Sequence, residues 1–141
     1  MPYASRSSVV LSQLAAAIDA GLVAAATTYQ AEMKKVLAPG YTSGAFVTGN
    51  LVNSIFTDGP VDENGVRVIR VACSATRNGA PYPLYWELGH QNLFTRKFER
   101  EPRWVPTLME QIPVLQDRFV QAARAVFAGL DVTVTPSEAA D

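Results

Sequence analysis

Eight apolar residues, Leu11, Leu14, Ile18, Leu22, Ala25, Tyr29, Met33 and Val36, recur at steps of three and four along the first quarter of the chain. That spacing puts them on one face of a helix, predicted over residues 9–37. Ser7 or Ser8 is expected to cap its start, and Pro39-Gly40 to stop it. Such a helix is roughly 44 Å long at 1.5 Å per residue. Its stripe has to lie on something, so the rest of the chain must supply that surface. Ala15, Ala16, Ala17, Ala20, Ala24, Ala25 and Ala26 widen the stripe with small side chains. They serve either helix propensity alone or a second contact face used between subunits.

The covering elements are legible further on. Residues 41–47 are rich in Gly, Ser and Thr without a period and read as a loop. Thr48 to Ile55 reads as a helical turn capped by Thr48 and anchored by Leu51 and Ile55. Two strands are predicted at 55–61 and 66–75, joined at Asn64-Gly65, which supplies the positive φ angles of a tight hairpin. Ile69, Val71, Cys73 and Ala75 share one face of the second strand, with Arg70 and Ser74 on the other. Tyr82, Tyr85 and Trp86 then cluster as large side chains for a core edge or an interface. Residues 91–103 carry few aliphatics and are expected to project as an extended arm or hairpin.

A second helical pattern follows in Leu108, Ile112, Leu115, Phe119, Ala122 and Val126, with Gly129 as its stop. Pro106 suits a first turn, whereas Pro113 is expected to kink or restart the helix. The fold class is therefore α+β: a long N-terminal helix and a C-terminal helix packed on a small antiparallel sheet, with extended loops or a hairpin arm. At 141 residues one core is expected, within residues 1–130, and residues 131–141 form a tail with little to bury.

Composition narrows the function classes. A net charge of −1 gives no overall pull towards nucleic acid or an anionic membrane surface. One cysteine, Cys73, excludes an intrachain disulfide framework. The apolar run after Arg6 is interrupted by Gln13 and Asp19, so it reads as a helix of the mature fold rather than a signal peptide. No segment is expected to span a bilayer.

Chemistry finds little purchase. His90, the single histidine, follows Gly89 with no nucleophile elbow nearby, so a hydrolase centred on it is disfavoured. One Cys and one His are too few for a structural zinc site, and Gly40, Gly44 and Gly49 lack the lysine and spacing of a phosphate loop. Glu99 and Glu101 sit among arginines and read as solvated ion pairs rather than a glycosidase pair. Arg96, Lys97, Arg100 and Arg103 form a basic cluster whose net charge the two glutamates cut to +2, enough for weak, salt-sensitive contact with DNA lining a channel. We expect no enzyme, cofactor, metal or small-molecule substrate.

Three stretches, in order, resemble one family. They are Thr48-Gly49-Asn50-Leu51 with Ser54-Ile55; Tyr82-Pro-Leu-Tyr85-Trp86-Glu87-Leu-Gly89-His90; and Pro102-Arg103-Trp104-Val-Pro106-Thr-Leu108 leading into a final helix. They resemble the neck or tail-completion proteins of tailed bacteriophages, over roughly residues 9–130. Arg103 stands where that family usually has an aromatic residue or leucine, and Pro113 also departs from its pattern.

The resemblance implies a virion structural protein, assembled in the host cytoplasm into a homo-oligomeric ring, most simply a hexamer. Such a ring sits in the neck between head-closure or connector proteins and tail-tube proteins, where genomic DNA passes. It further implies that Gly89 permits a turn and that Glu87 pairs with an arginine or caps backbone donors. Residues 38–50 and 88–103 are the natural reaching elements. Trp86 and Trp104 are candidate interface anchors, with a purely core role as the other reading. The second function reading is a nucleic-acid-binding accessory protein using residues 96–103.

Overall fold

The computed structural model describes residues 2–39, 49–76, 82–91 and 96–128; the side chains of residues 2–9 and of Gly49, Asn50, Tyr82 and Tyr85 are outside it. The elements in order are α1 (Pro2–Leu37), α2 (Gly49–Asn53), β1 (Ile55–Glu63), β2 (Val66–Cys73), α3 (Tyr82–Leu88), β3 (His90–Gln91), β4 (Phe98–Glu99) and α4 (Trp104–Ala128). The class is α+β, with two long helices and small antiparallel sheets. The loop at 41–47, Thr48, the stop at Gly129 and the tail at 131–141 fall outside the described residues.

α1 begins earlier than its periodicity indicated. It starts at Pro2, a residue whose fixed φ suits the first helical position, so Ser7 and Ser8 lie within the helix rather than at its cap. The buried part of its stripe also differs. Leu11 and Leu14 are 65% and 44% exposed, while Tyr29, Met33 and Leu37 are buried with Ala17, Gly21 and Ala26. The small residues mark where α4 comes close. A Cβ on Gly21 would stand 2.6 Å from the Phe119 ring, so hydrogen at that position is what admits the aromatic ring. Some of the alanine-rich face is therefore used inside the chain, with α4 running antiparallel to α1.

Within Val10–Leu37 an 18-residue window reaches a mean hydropathy of 1.6, which corrects the expectation that no segment is long and apolar enough to cross a bilayer; the alanines supply much of that value. Two ties place the helix in the folded body. Asp19, in mid-span, accepts two hydrogen bonds from Arg67 at 3.0 and 2.9 Å, and this pairing raises the Arg67 pKa. Met33 and Leu37 form a wall of the core with Leu51, Ile55, Ala75 and Trp86.

β1 and β2 form the expected hairpin, slightly longer on the first strand and shorter on the second. Asn64 and Gly65 turn it with φ of 53° and 82°, and the Gly65 N–H donates to Asp62 Oδ1 at 2.9 Å. A bulge between Asp58 and Val61 shifts the register, so Ile55 lies opposite Cys73 but Glu63 opposite Val66. Ala75, past the strand end, is still buried, and Arg70 and Ser74 are exposed as the alternation requires. α4 runs through Pro113 without the restart expected there. Pro113 is exposed, so water can reach a carbonyl left without its donor.

Candidate assembly site

The second and third motif stretches meet at one point. α3 carries Trp86 and Glu87, and α4 begins at Trp104. Any α-helix starts with backbone donors that no earlier turn can accept. Here a single carboxylate collects them. Glu87 Oε1 accepts from the Arg103 and Trp104 N–H groups at 2.7 and 2.8 Å, and Oε2 accepts from Val105 N–H at 3.1 Å. Pro106 has no N–H to satisfy, and Thr107 N–H makes the first bond of the helix, to the Arg103 carbonyl at 3.2 Å. Every donor of the first turn is accounted for. A negative charge at a helix N-terminus is also favoured by the helix dipole. Of the two roles open to Glu87 in the sequence, capping is the one found.

Further bonds lock the same junction. Arg100 Nε donates to the Glu87 carbonyl at 3.1 Å, and Glu101 N–H to the Trp86 carbonyl at 2.9 Å. Tyr29 reaches across from α1, its hydroxyl donating to the Trp104 carbonyl at 2.6 Å and its ring meeting Trp104 edge-on at 6.1 Å. Burial, reinforced by the nearby Glu87 carboxylate, pushes the Tyr29 hydroxyl up to about 12. Burial likewise raises the Cys73 thiol, which lies 3.7 Å from the Leu51 carbonyl.

The candidate residues sort by place. Leu51 and Trp86 are core residues, and Trp104 is half-buried against that core, so the two tryptophans hold the body of this chain together. Gly89 has φ of 96°, and a Cβ there would stand 2.1 Å from the Phe98 ring, so it both permits the turn into β3 and admits the aromatic ring of β4. β3 and β4 pair as a short hairpin, with His90 opposite Glu99 and residues 92–95 outside the described set, while residues 100, 101 and 103 are bonded to α3 and do not project as expected. The side chains of Asn50 and Tyr85, and Thr48 altogether, are also outside it.

Of the basic cluster, Arg100 is bonded to Glu87, and Arg103 pairs with Glu101 at 3.1 Å. Arg96 is exposed with φ of 57°, and Lys97 is exposed beside it. His90 Nε2 lies 3.5 Å from Glu99 Oε2, its ring meets Trp86 edge-on at 4.8 Å, and its Nδ1 is buried with no hydrogen-bond partner among the described residues. No group of three or more metal-ligating side chains occurs among the described residues.

Sequence reasoning passed over the outward edge of α4. Val105, Leu108, Met109 and Ile112 follow the helical spacing i, i+3, i+4, i+7 and are 58%, 39%, 64% and 37% exposed. Leu108 and Ile112 belong to the helical pattern legible in the sequence, but a period does not say which of its residues a neighbour covers. α4 is apolar over a wider arc than α1 can cover, and the remainder faces outward beside the capped junction. No family model matches the chain, and neither the curated proteins nor the solved structures compared with it provide a match.

Proposed function

We propose that this chain is a structural subunit of a tailed-bacteriophage virion, forming a homo-oligomeric ring in the neck that joins head to tail or completes the tail. The observation that carries the proposal is the uncovered apolar stripe from Val105 to Ile112, set on a helix whose first turn is held by Glu87. A contiguous apolar strip next to a rigid, fully bonded junction is what a subunit completed by its neighbours presents. The three motif stretches supply the family, and the Glu87 cap gives two of them a common physical purpose. The ring would contact head-closure or connector proteins on one side and tail-tube proteins on the other.

The nucleic-acid reading draws less support, because Arg100 and Arg103 are engaged within the chain. Residual contact with DNA would fall to Arg96 as channel lining. Electron cryo-microscopy of particles produced with this chain tests the proposal. Ring density that fits this fold at the head–tail joint supports it, and purified infectious particles lacking the chain overturn it.

A further inference from the structure

Among the described residues, the outward backbone groups of the larger sheet are bonded along the β1 edge only. β1 lies on α1: the Ile55 carbonyl accepts from Gln30 Nε2 at 3.3 Å, and the Thr57 hydroxyl bonds the same side chain. β2 has no such partner along its other edge among the described residues. Its register decides which backbone groups face outward. Ser74 N–H donates to the Ser54 carbonyl at 3.0 Å, and the register pairing Ile55 with Cys73 sets Ser54 opposite Ser74. In an antiparallel ladder such bonded pairs alternate with pairs whose groups point away from each other. Val71 and Cys73 therefore direct their N–H and C=O groups to the open edge.

Along that edge runs an apolar trough. A cleft of about 470 Å³ has Ala26 and Tyr29 as floor, with Val105 and Leu108 as the wall facing β2. A second, of about 280 Å³, continues it past Cys73 to Pro83 and Leu84. An open strand edge beside an apolar trough accepts an extended segment as an added strand, with backbone groups on the edge and alternate side chains in the trough.

The chain carries such a segment. Immediately beyond α4, Leu130, Val132 and Val134 alternate with Asp131, Thr133 and Thr135, a period of two with one apolar face. It cannot reach the trough of its own molecule. From Leu108 to the end of α4 at Ala128 is roughly 30 Å along the helix, whereas Gly129 and Leu130 span about 7 Å at full extension. We infer that residues 130–135 of one copy add as a third strand to β2 of a second copy. One end of α4 supplies the strand and the other end walls the trough, so the contact is head-to-tail and propagates to a closed ring or a filament. The inference rests on the reading of the chain as a self-assembling subunit, and it names the contact that joins the copies.

The test uses the full chain and a full-length variant carrying Val132→Lys and Val134→Lys, with unchanged helicity confirming the fold. In sedimentation velocity the parent chain associates, and the variant associates about a hundredfold more weakly, as the loss of two buried valines requires. A synthetic peptide of residues 129–136, added to the variant, slows hydrogen exchange at the Val71 and Cys73 amides; a scrambled peptide does not. A variant that assembles as tightly as the parent, or a peptide that leaves those amides unprotected, overturns the strand addition while the ring reading stands. A parent chain that stays monomeric at every concentration overturns both.

Discussion

Replacing Glu87 with alanine removes the acceptor for three backbone donors, and the structure sets the expected loss. The Arg103 and Trp104 N–H groups are part-buried, while Val105 N–H is exposed and can turn to water. A part-buried donor left without a partner costs roughly 1–3 kcal/mol, so two of them place the loss near 3 kcal/mol. That exceeds the 0.5–2 kcal/mol of an ordinary cap substitution because this carboxylate serves more than one donor. Glu87→Gln keeps one acceptor oxygen but turns an amide donor towards another donor and loses the charge at the helix start, for about 1.5 kcal/mol. Urea unfolding followed by the fluorescence of Trp86 and Trp104 reads both. With a slope of about 2 kcal/mol per molar, the alanine variant unfolds roughly 1.5 M earlier and the glutamine variant about half as much. An alanine variant within about 0.5 kcal/mol of the parent refutes the cap. Equal losses in the two variants would refute the role assigned to its charge.

Tyr29→Phe removes the bond to the Trp104 carbonyl and should cost about 1 kcal/mol near neutral pH in the same unfolding assay. Tyr29 is raised from 10 to about 12 in the folded chain, so its contribution is fully present below pH 10. Between pH 10 and 12 the unfolded chain releases the proton first and stability falls, by roughly 2–3 kcal/mol for this group; the phenylalanine variant should lack that part of the alkaline decline. Gly89→Ala forces a side chain into φ of 96° and onto the Phe98 ring. A loss of about 1–3 kcal/mol is expected, and adding Phe98→Ala should recover only the steric share, as a double-mutant cycle on thermal melting would report. Gly21→Ala drives a methyl group towards Phe119, with a loss of about 1–3 kcal/mol. Phe119→Leu in the same chain should relieve it, and simple additivity of the two losses would contradict the close helix approach.

The residues by themselves determined the local shapes. The step of three and four in the early apolar residues calls for a helix whatever covers it, Asn64-Gly65 calls for a tight hairpin because few residues accept those φ angles, and Pro106 fits a first turn because it has no donor to lose. Tertiary structure decided which of those features are buried. Leu11 and Leu14 keep the same period as Met33, yet they are exposed, because a period fixes a face of the helix and not whether another element covers it. Glu87 is only a carboxylate in the chain; it becomes a cap when α3 is folded against the start of α4, sixteen to eighteen residues away. Gly21 reads as an ordinary glycine until Phe119 arrives from a distant segment to occupy the space a Cβ would need. Periodicity and turn chemistry act through neighbours in sequence, whereas capping, close approach and exposure arise between segments that only the folded chain brings together.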